Sequence, residues 1–269
     1  MSTTPETNNP TATPPARKRR PPRRVEVSFV KVLSPAMRRI TFKGAELEGF
    51  APATPASYIK LIFPEPGQLE PERPIPDGPR PKSMRTYTPL AVRADVHEVD
   101  VDFVLHGDGP ASTWAAQAKV GQVLFLMGPG PGYEPDTKAT NHLLIADDSA
   151  LPAVENILAE LPASAHVQLL VEVISTDEER PLTSAASLQT QWLARGTDHR
   201  DAGKPLEQAL RAMKSVPLDA KIYLACEAAA MRRIRSLLID ELGVARSNIV
   251  GRGYWKLDTV NHPDHDYGE

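Results

Sequence analysis

Cysteine is almost missing from this 269-residue chain, in which Cys226 is the only one. A lone thiol forms no internal disulfide and builds neither a cysteine-ligated iron–sulfur cluster nor a cysteine zinc site. Long apolar runs are missing too: none reaches the ~18 residues a membrane helix needs, and no apolar stretch follows Met1 as a secretory leader would. A cytoplasmic protein without a membrane span is the resulting expectation. Charge of either sign is not in excess, with 31 Lys and Arg against 34 Asp and Glu and a net charge of −3. That balance gives no sign of nucleic-acid binding. Neither GxGxxG nor GxxxxGK[ST] occurs, there are no internal repeats, and no large apolar seam argues for more than a monomer.

What is present falls into four stretches. Residues 1–24 are rich in Pro, Thr and Asn and end in the basic run ARKRRPPRR. Such a composition buries too little surface to offset ordering entropy, so a disordered tail is expected. From Val25, VEVSFVKVL, MRRITFKGAEL, SYIKLIFP, MRTYTPLAV, EVDVDFVLH and QVLFLMGP read as six short strands, with one helix interposed from Ala111 to Ala118. A small antiparallel β-barrel over residues 25–136 follows. Strands and helices then alternate over residues 137–258: HLLIADD, the helix in SALPAVENILAELP, VQLLVEVIS, TQWLARG, PLEQALRAM, KIYLACE, the helix EAAAMRRIRSLLIDELG and NIVGRGYW. This alternation predicts a parallel α/β sheet of nucleotide-binding type. Residues 259–269 form a polar tail, whose His262, Asp264, His265 and Asp266 offer at most a weak divalent site.

The densest chemistry lies in Arg85-Thr86-Tyr87-Thr88 and in the stretch from Asp102 through Val104, His106 and Gly107 to Ala111, Ser112 and Thr113. Side chains at i and i+2 of a strand share a face, so Arg85 and Tyr87 lie side by side. The guanidinium fork matches a pyrophosphate, and the tyrosine ring offers a flat surface for an isoalloxazine. Thr88 is placed to hydrogen-bond the polar edge of that ring. The glycine-rich turn opens a helix whose backbone N–H groups at Ala111, Ser112 and Thr113 suit a phosphate; Ser112 is equally readable as a helix cap. Together these features point to a flavin dinucleotide, FAD.

In order along the chain, RTYTPL, DVDFVLHGDGPASTWA, IADDSALPAVENIL, YLACEAAAMRRIRSLLIDEL and the late GYWK resemble the siderophore-interacting protein family. Members of that family are FAD-dependent ferric-siderophore reductases of the ferredoxin-reductase-like superfamily, and the resemblance runs from about Val25 to Lys256. It implies that His106 and Gly107 lie beside the flavin, with Thr86, Asp102 and Val104 part of the same motifs. It also implies that Asp147, Ser149 and Ala150 form the turn for NADPH or NADH, with Glu227 nearby. This chain carries Asp148 where relatives often have Glu, and Cys226 where they usually have Gly. Two carboxylates in that turn would repel a pyrophosphate unless backbone donors dominate. Arg180 or Arg195 can be placed near a 2′-phosphate, although Asp177, Glu178 and Glu179 argue against a strongly phosphate-selective pocket. Cys226 reads as a small buried residue rather than a reactive thiol.

Lys60 sits among apolar neighbours in SYIKLIF, and the resemblance places a substrate lysine there; Arg252 and Lys256 flank Tyr254 and Trp255. A cluster of these cations would attract an anionic ferric siderophore. The expected function is transfer of electrons from NAD(P)H, or from a ferredoxin, through FAD to chelated Fe(III). A general flavin reductase and a non-enzymatic siderophore-binding protein are the competing readings.

Overall fold

The computed structural model describes residues 21–75, 78–107, 109–213, 215–259 and 262. Most of both terminal stretches, including the histidine-containing tail beyond residue 262, lies outside them.

The first half is an antiparallel sheet of β1 (Arg23–Ser34), β2 (Met37–Lys43), β3 (Tyr58–Ile62), β4 (Met84–Tyr87), β5 (Pro89–Arg93), β6 (Glu98–Val104) and β7 (Val123–Gly130). Their spatial order is β4-β3-β7-β1-β2-β6-β5. Seven strands stand where six are expected, because MRTYTPLAV divides at Thr88. Pro89 has no N–H to continue a ladder. The two edge strands β4 and β5 are thus successive in the chain and joined by Thr88 alone. The sheet curls so that its edges meet at this residue, but among the described residues no ladder closes it into the expected barrel. β1 begins at Arg23, two residues before the expected Val25, and Arg23 Nη1 donates to the Gly128 carbonyl at 3.0 Å.

Alternation sorts the faces of this sheet. Ile40 and Phe42 of β2 oppose Val101 and Val99 of β6, and all four are fully buried with Phe63 and Phe103. Helix α1 (Pro110–Ala116) adds Trp114 to the core, with its ring 5.4 Å from that of Phe63. The opposite face of the β2–β6 pair carries Thr41 and Asp100, hydrogen-bonded at 2.7 Å.

The second half contains β8 (Asn141–Asp147), α2 (Leu151–Glu160), β9 (His166–Val173), β10 (Ser187–Ala194), α3 (Lys204–Ala212), β11 (Lys221–Glu227), α4 (Ala228–Ser236) and β12 (Ile249–Trp255). The strands are parallel in the order β10-β9-β8-β11-β12. Leu144 and Ala146 of β8 pack with α2, whereas Leu143 and Ile145 pack on the other face with α3 and α4. Both faces are therefore covered, as the apolar runs require. The helix after β11 changes character at Leu237, where five residues wind as a π-turn and Leu242 N donates to Leu237 O at 3.1 Å. The strand order reverses between β8 and β11, which places the ligand crevice of such a sheet at their carboxyl ends.

The halves are tied together by α2. Asn156 Nδ2 donates to the Pro89 carbonyl at 3.0 Å, and Met37, Leu33 and Val104 pack into the α2 cluster. Arg39 bonds Asp102 through Nε and Nη2 at 2.7 and 2.9 Å, and Arg180 reaches Glu155 at 2.7 Å and Asp102 at 3.4 Å. Among the described residues, no helix is long and apolar enough to cross a membrane.

Candidate flavin and nucleotide site between the two sheets

On β4, Arg85 and Tyr87 stand opposite Leu61 and Ile59 and so share the core-facing side, whereas Thr86 stands opposite Lys60 on the other side. The Tyr87 ring leans on Phe103, with centroids 4.5 Å apart, and remains half-buried. Burial pushes its phenol well above the usual range, and the Arg85 charge opposes that shift. Arg85 Nη1 donates to the carbonyls of Lys82 and Met84, both at 2.9 Å. Desolvation lowers its pKa. Among the described residues no carboxylate pairs with it, whereas Arg39, Arg93, Arg180 and Arg195 each have one. The more distant charge of Glu65 acts on it, but a partly desolvated guanidinium with no carboxylate in direct contact suits an anionic ligand.

A second inward cation escaped the sequence reading. Arg38 stands opposite Phe103 on the core-facing side of β2, and its buried Nε has no hydrogen-bond partner. The signal was available in MRRITF, where alternation with Ile40 and Phe42 turns Arg38 inward.

The turn from His106 to Thr113 is closed by the His106 backbone N–H, which donates to Ser112 Oγ at 2.8 Å. Gly107 adopts φ +56°, a left-handed conformation glycine takes at no steric cost. Thr113 N donates to Gly109 O at 2.8 Å, so this N–H serves the helix, contrary to its expected role as a phosphate donor. Pro110 has no N–H, and the first donors of α1 are those of the buried Ala111 and Ser112. His106 faces His199 of the second half, and burial together with that neighbour lowers its pKa.

Asp102 and Val104 have another place. They lie on the face of β6 opposite Phe103: Asp102 is enclosed by Arg39 and Arg180, and Val104 packs against the α2 cluster. They join the two sheets instead of lining the Arg85–Tyr87 face.

At the carboxyl end of β8, Asp147 Oδ1 accepts from the N–H of Ser149 at 3.0 Å and from its hydroxyl at 2.5 Å, while Oδ2 accepts from Trp255 Nε1 at 2.7 Å. Ala150 is fully buried. Burial raises the pKa of Asp147, and burial together with the Asp147 charge pushes Asp148 up to about 7. Glu172, at the end of β9, is also pushed up to about 7 by burial, against the pull of Arg195 at 3.0 Å. Glu172 further accepts from Gly203 N at 2.8 Å. Both arginines considered for a 2′-phosphate are thus engaged with carboxylates, Arg195 beneath the surface and Arg180 in the joint between the sheets. Glu227 caps α4 by accepting from Ala230 N at 2.8 Å and also accepts from Leu257 N at 3.3 Å. Cys226 is buried, and desolvation, then the charge of Asp147, pushes its thiol well up. Such a thiol is inert.

The cations considered for the substrate come from two strands: Lys60 stands on β3, Arg252 on β12 and Lys256 just beyond β12. Lys60 Nζ sits 5.5 Å from the Tyr58 ring centroid. The Tyr58 ring in turn covers Gly130, where an added Cβ would lie only 2.1 Å from Cζ. Beyond Gly130, Tyr133 packs on Tyr223 with centroids 4.9 Å apart. The Tyr223 hydroxyl meets that of Tyr254 at 3.0 Å. The positive charge of Arg252 opposes the upward shifts that burial imposes on both of these phenols. Lys256 is exposed just beyond β12 and bridges to Thr259.

An antiparallel sheet bearing an Arg-x-Tyr-Thr edge, followed by a parallel sheet with its crevice turned towards that edge, defines a flavoprotein of the ferredoxin-reductase-like class. The chain belongs to the siderophore-interacting protein family: residues 26–133 match the siderophore-interacting FAD-binding domain, and residues 139–258 match the siderophore-interacting protein model. It is 32% identical over 248 residues to the ferric vibriobactin reductase ViuB of Vibrio cholerae, covering 87% of this chain and 89% of ViuB. Identity is also 32%, over 190 residues, with the NADPH-dependent ferric-chelate reductase of Escherichia coli, covering 67% of this chain and 74% of the relative. The crystal structure of a siderophore utilization protein from T. fusca superposes with a TM-score of 0.82 at 30% identity, covering 92% of this chain and 98% of that one. The residues fit FAD, since Arg85 offers a guanidinium with no carboxylate in direct contact and Tyr87 a half-buried ring beside it.

Proposed function

We propose that the protein is a ferric-siderophore reductase that uses FAD and takes its electrons from NAD(P)H. The observation that carries this reading is Arg85, a partly desolvated cation without a carboxylate partner, on the same strand face as Tyr87. FAD held there would supply the conversion of a two-electron donor into one-electron steps, chemistry no side chain performs. Arg85 holds the pyrophosphate, Tyr87 supports the ring, and Thr88 meets its polar edge. His106 and Gly107 shape the turn beside it, and the N–H groups of Ala111 and Ser112, with the Thr113 side chain, complete the anion contact. Asp147, Ser149 and Ala150 form the floor of the nicotinamide side. Residues 25–136 and 137–258 act as the flavin and nucleotide domains of a cytoplasmic monomer.

Lys60, Arg252 and Lys256 attract an anionic chelate to the site. Hard oxygen chelators hold Fe(III) far more tightly than Fe(II), so reduction loosens the metal from its siderophore. A ferrous-trap assay on an anionic triscatecholate and on a neutral chelate tests the steering. Lys60→Ala and Arg252→Ala are expected to lower kcat/KM about tenfold on the anionic chelate and little on the neutral one, a difference of ~1.4 kcal/mol. Equal losses on both chelates would refute it. A ferredoxin-type donor is the second reading, favoured by the carboxylates of Asp147, Asp148 and Glu172 at the nucleotide turn.

A further inference from the structure

Strand parity turns Arg38 and Arg39, neighbours in β2, to opposite faces of the antiparallel sheet. Arg39 meets two carboxylates, Asp102 at 2.7 Å and Glu155 at 3.8 Å. Arg38 meets none: among the described residues its side chain has neither a hydrogen-bond nor an ion-pair partner, and its Nε is buried. Withdrawing a charged N–H from water without giving it an acceptor is costly. Packing alone does not call for such a side chain, since Ile40 and Phe42 fill the same face of β2 without polar atoms.

The neighbours of Arg38 place it at the flavin end of the sheet. Its partner across the ladder is Phe103, whose ring lies 4.5 Å from that of Tyr87 and 6.0 Å from that of Trp114 in α1. One step further along β6, Leu105 N donates to the Ala36 carbonyl at 2.7 Å, and the chain enters the His106–Gly107 turn. The inward face opens here: Ile40 is fully buried, whereas Val32, the partner of Arg38 on β1, is 63% exposed. Arg85, Tyr87, Phe103 and Arg38 are thus successive neighbours on the inward face, with a cation at each end.

A guanidinium that no carboxylate offsets is matched by a ligand with permanent negative charge. In FAD that charge lies on the pyrophosphate, because the oxidised ring system and the ribityl chain are neutral. We propose that Arg38 is a second cation for the FAD pyrophosphate, acting with Arg85, and that it favours the dinucleotide over a flavin without phosphate. The partner that the protein withholds from Arg38 comes with the ligand. This inference rests on the assignment of the Arg85–Tyr87 face to FAD.

Arg38→Met keeps an apolar stem and removes the charge with its donors. Apoprotein is titrated with FAD and, separately, with riboflavin, which has the same ring system and no phosphate. In Arg38→Met, FAD binding is expected to weaken about tenfold and riboflavin binding to stay within about twofold of wild type. Arg38→Lys is expected to fall between, because an ammonium lacks the fork. Urea unfolding of the apoprotein gives a second readout. Arg38→Met is expected to be at least as stable as wild type, because a buried donor without an acceptor has been removed. Unchanged FAD affinity in Arg38→Met would overturn the inference. So would equal losses for FAD and riboflavin, which mark a contact with the ring or a general loosening of the site. A less stable Arg38→Met apoprotein would mark a structural cation and overturn it as well. If wild type binds neither flavin, the flavin assignment itself fails and the inference falls with it.

Discussion

Asp102 is the residue whose replacement discriminates most sharply between a cofactor contact and a joint between sheets. Its side chain is 1% exposed and accepts two bonds from Arg39, at 2.7 and 2.9 Å, with Arg180 a further 3.4 Å away. Asp102→Asn keeps the shape but removes the charge, leaving both arginines to share Glu155, which lies 3.8 Å from Arg39 and 2.7 Å from Arg180. Breaking a fully buried ion pair by removing one partner costs about 3–5 kcal/mol. Here the side chains of Arg39, Arg180 and Glu155 retain 25%, 17% and 24% exposure, so water and Glu155 recover part of that cost, and a loss of about 2–3 kcal/mol is expected. Urea unfolding followed by tryptophan fluorescence reads this as a lower midpoint. Flavin affinity, measured well below the midpoint, is expected to stay within about twofold of wild type, because Asp102 faces away from Arg85 and Tyr87. A loss below about 0.5 kcal/mol, the range of an ordinary surface substitution, would refute the clamp. A large loss of flavin affinity at unchanged stability would return Asp102 to the cofactor site.

Three further outcomes follow from the geometry. Arg85→Ala is expected to weaken FAD binding at least tenfold, and Arg85→Lys to restore only part of it, because an ammonium lacks the fork that matches a pyrophosphate; equilibrium titration of the apoprotein with FAD measures both. Asp148 and Glu172 both have folded pKa values raised to about 7 by burial. Their contribution to stability is therefore fully present below their ordinary values near 4 and is lost as pH rises through about 7. Asp148→Asn is expected to flatten this fall, gaining on the order of 2 kcal/mol relative to wild type between pH 5 and pH 8; parallel curves in denaturant at the two pH values would contradict it. Gly130→Ala would place a methyl group 2.1 Å from Tyr58 Cζ, so the ring must move away from Gly130. A stability loss of about 1–3 kcal/mol in thermal melts is expected, together with reduced turnover of the anionic chelate.

Much of this arrangement is legible from local pattern. The order of strands and helices, the covered parallel sheet and the pairing of Arg85 with Tyr87 on one face all follow from periods of two and 3.6 residues. Other features were readable but need strand parity to be applied throughout. Asp102 and Val104 share a motif with Phe103, yet alternation sends them to the opposite face, and the same rule turns Arg38 inward. Pro89 marks the break between β4 and β5 that makes the sheet seven-stranded. What local pattern cannot supply is contact between distant segments. The Tyr254 hydroxyl meets that of Tyr223 only because β12 packs beside β11. Likewise, Arg195 reaches Glu172 because β10 runs parallel to β9 in a register that brings their carboxyl ends together. Such neighbours are set by topology, not by composition.

The most direct test of ferric-siderophore reduction is an anaerobic absorbance titration of the FAD-loaded protein. NADH or NADPH is added first, and a ferric siderophore with a ferrous trap follows. The expected result is bleaching of the flavin bands by one or both nucleotides, then their return together with the colour of the trapped Fe(II). Bands that bleach with nucleotide but do not return when the ferric siderophore is added would contradict the proposed function and leave a general flavin reductase. Bands that only a chemical reductant bleaches, yet which return with the ferrous colour, would instead move the electron donor from NAD(P)H to a ferredoxin-type protein.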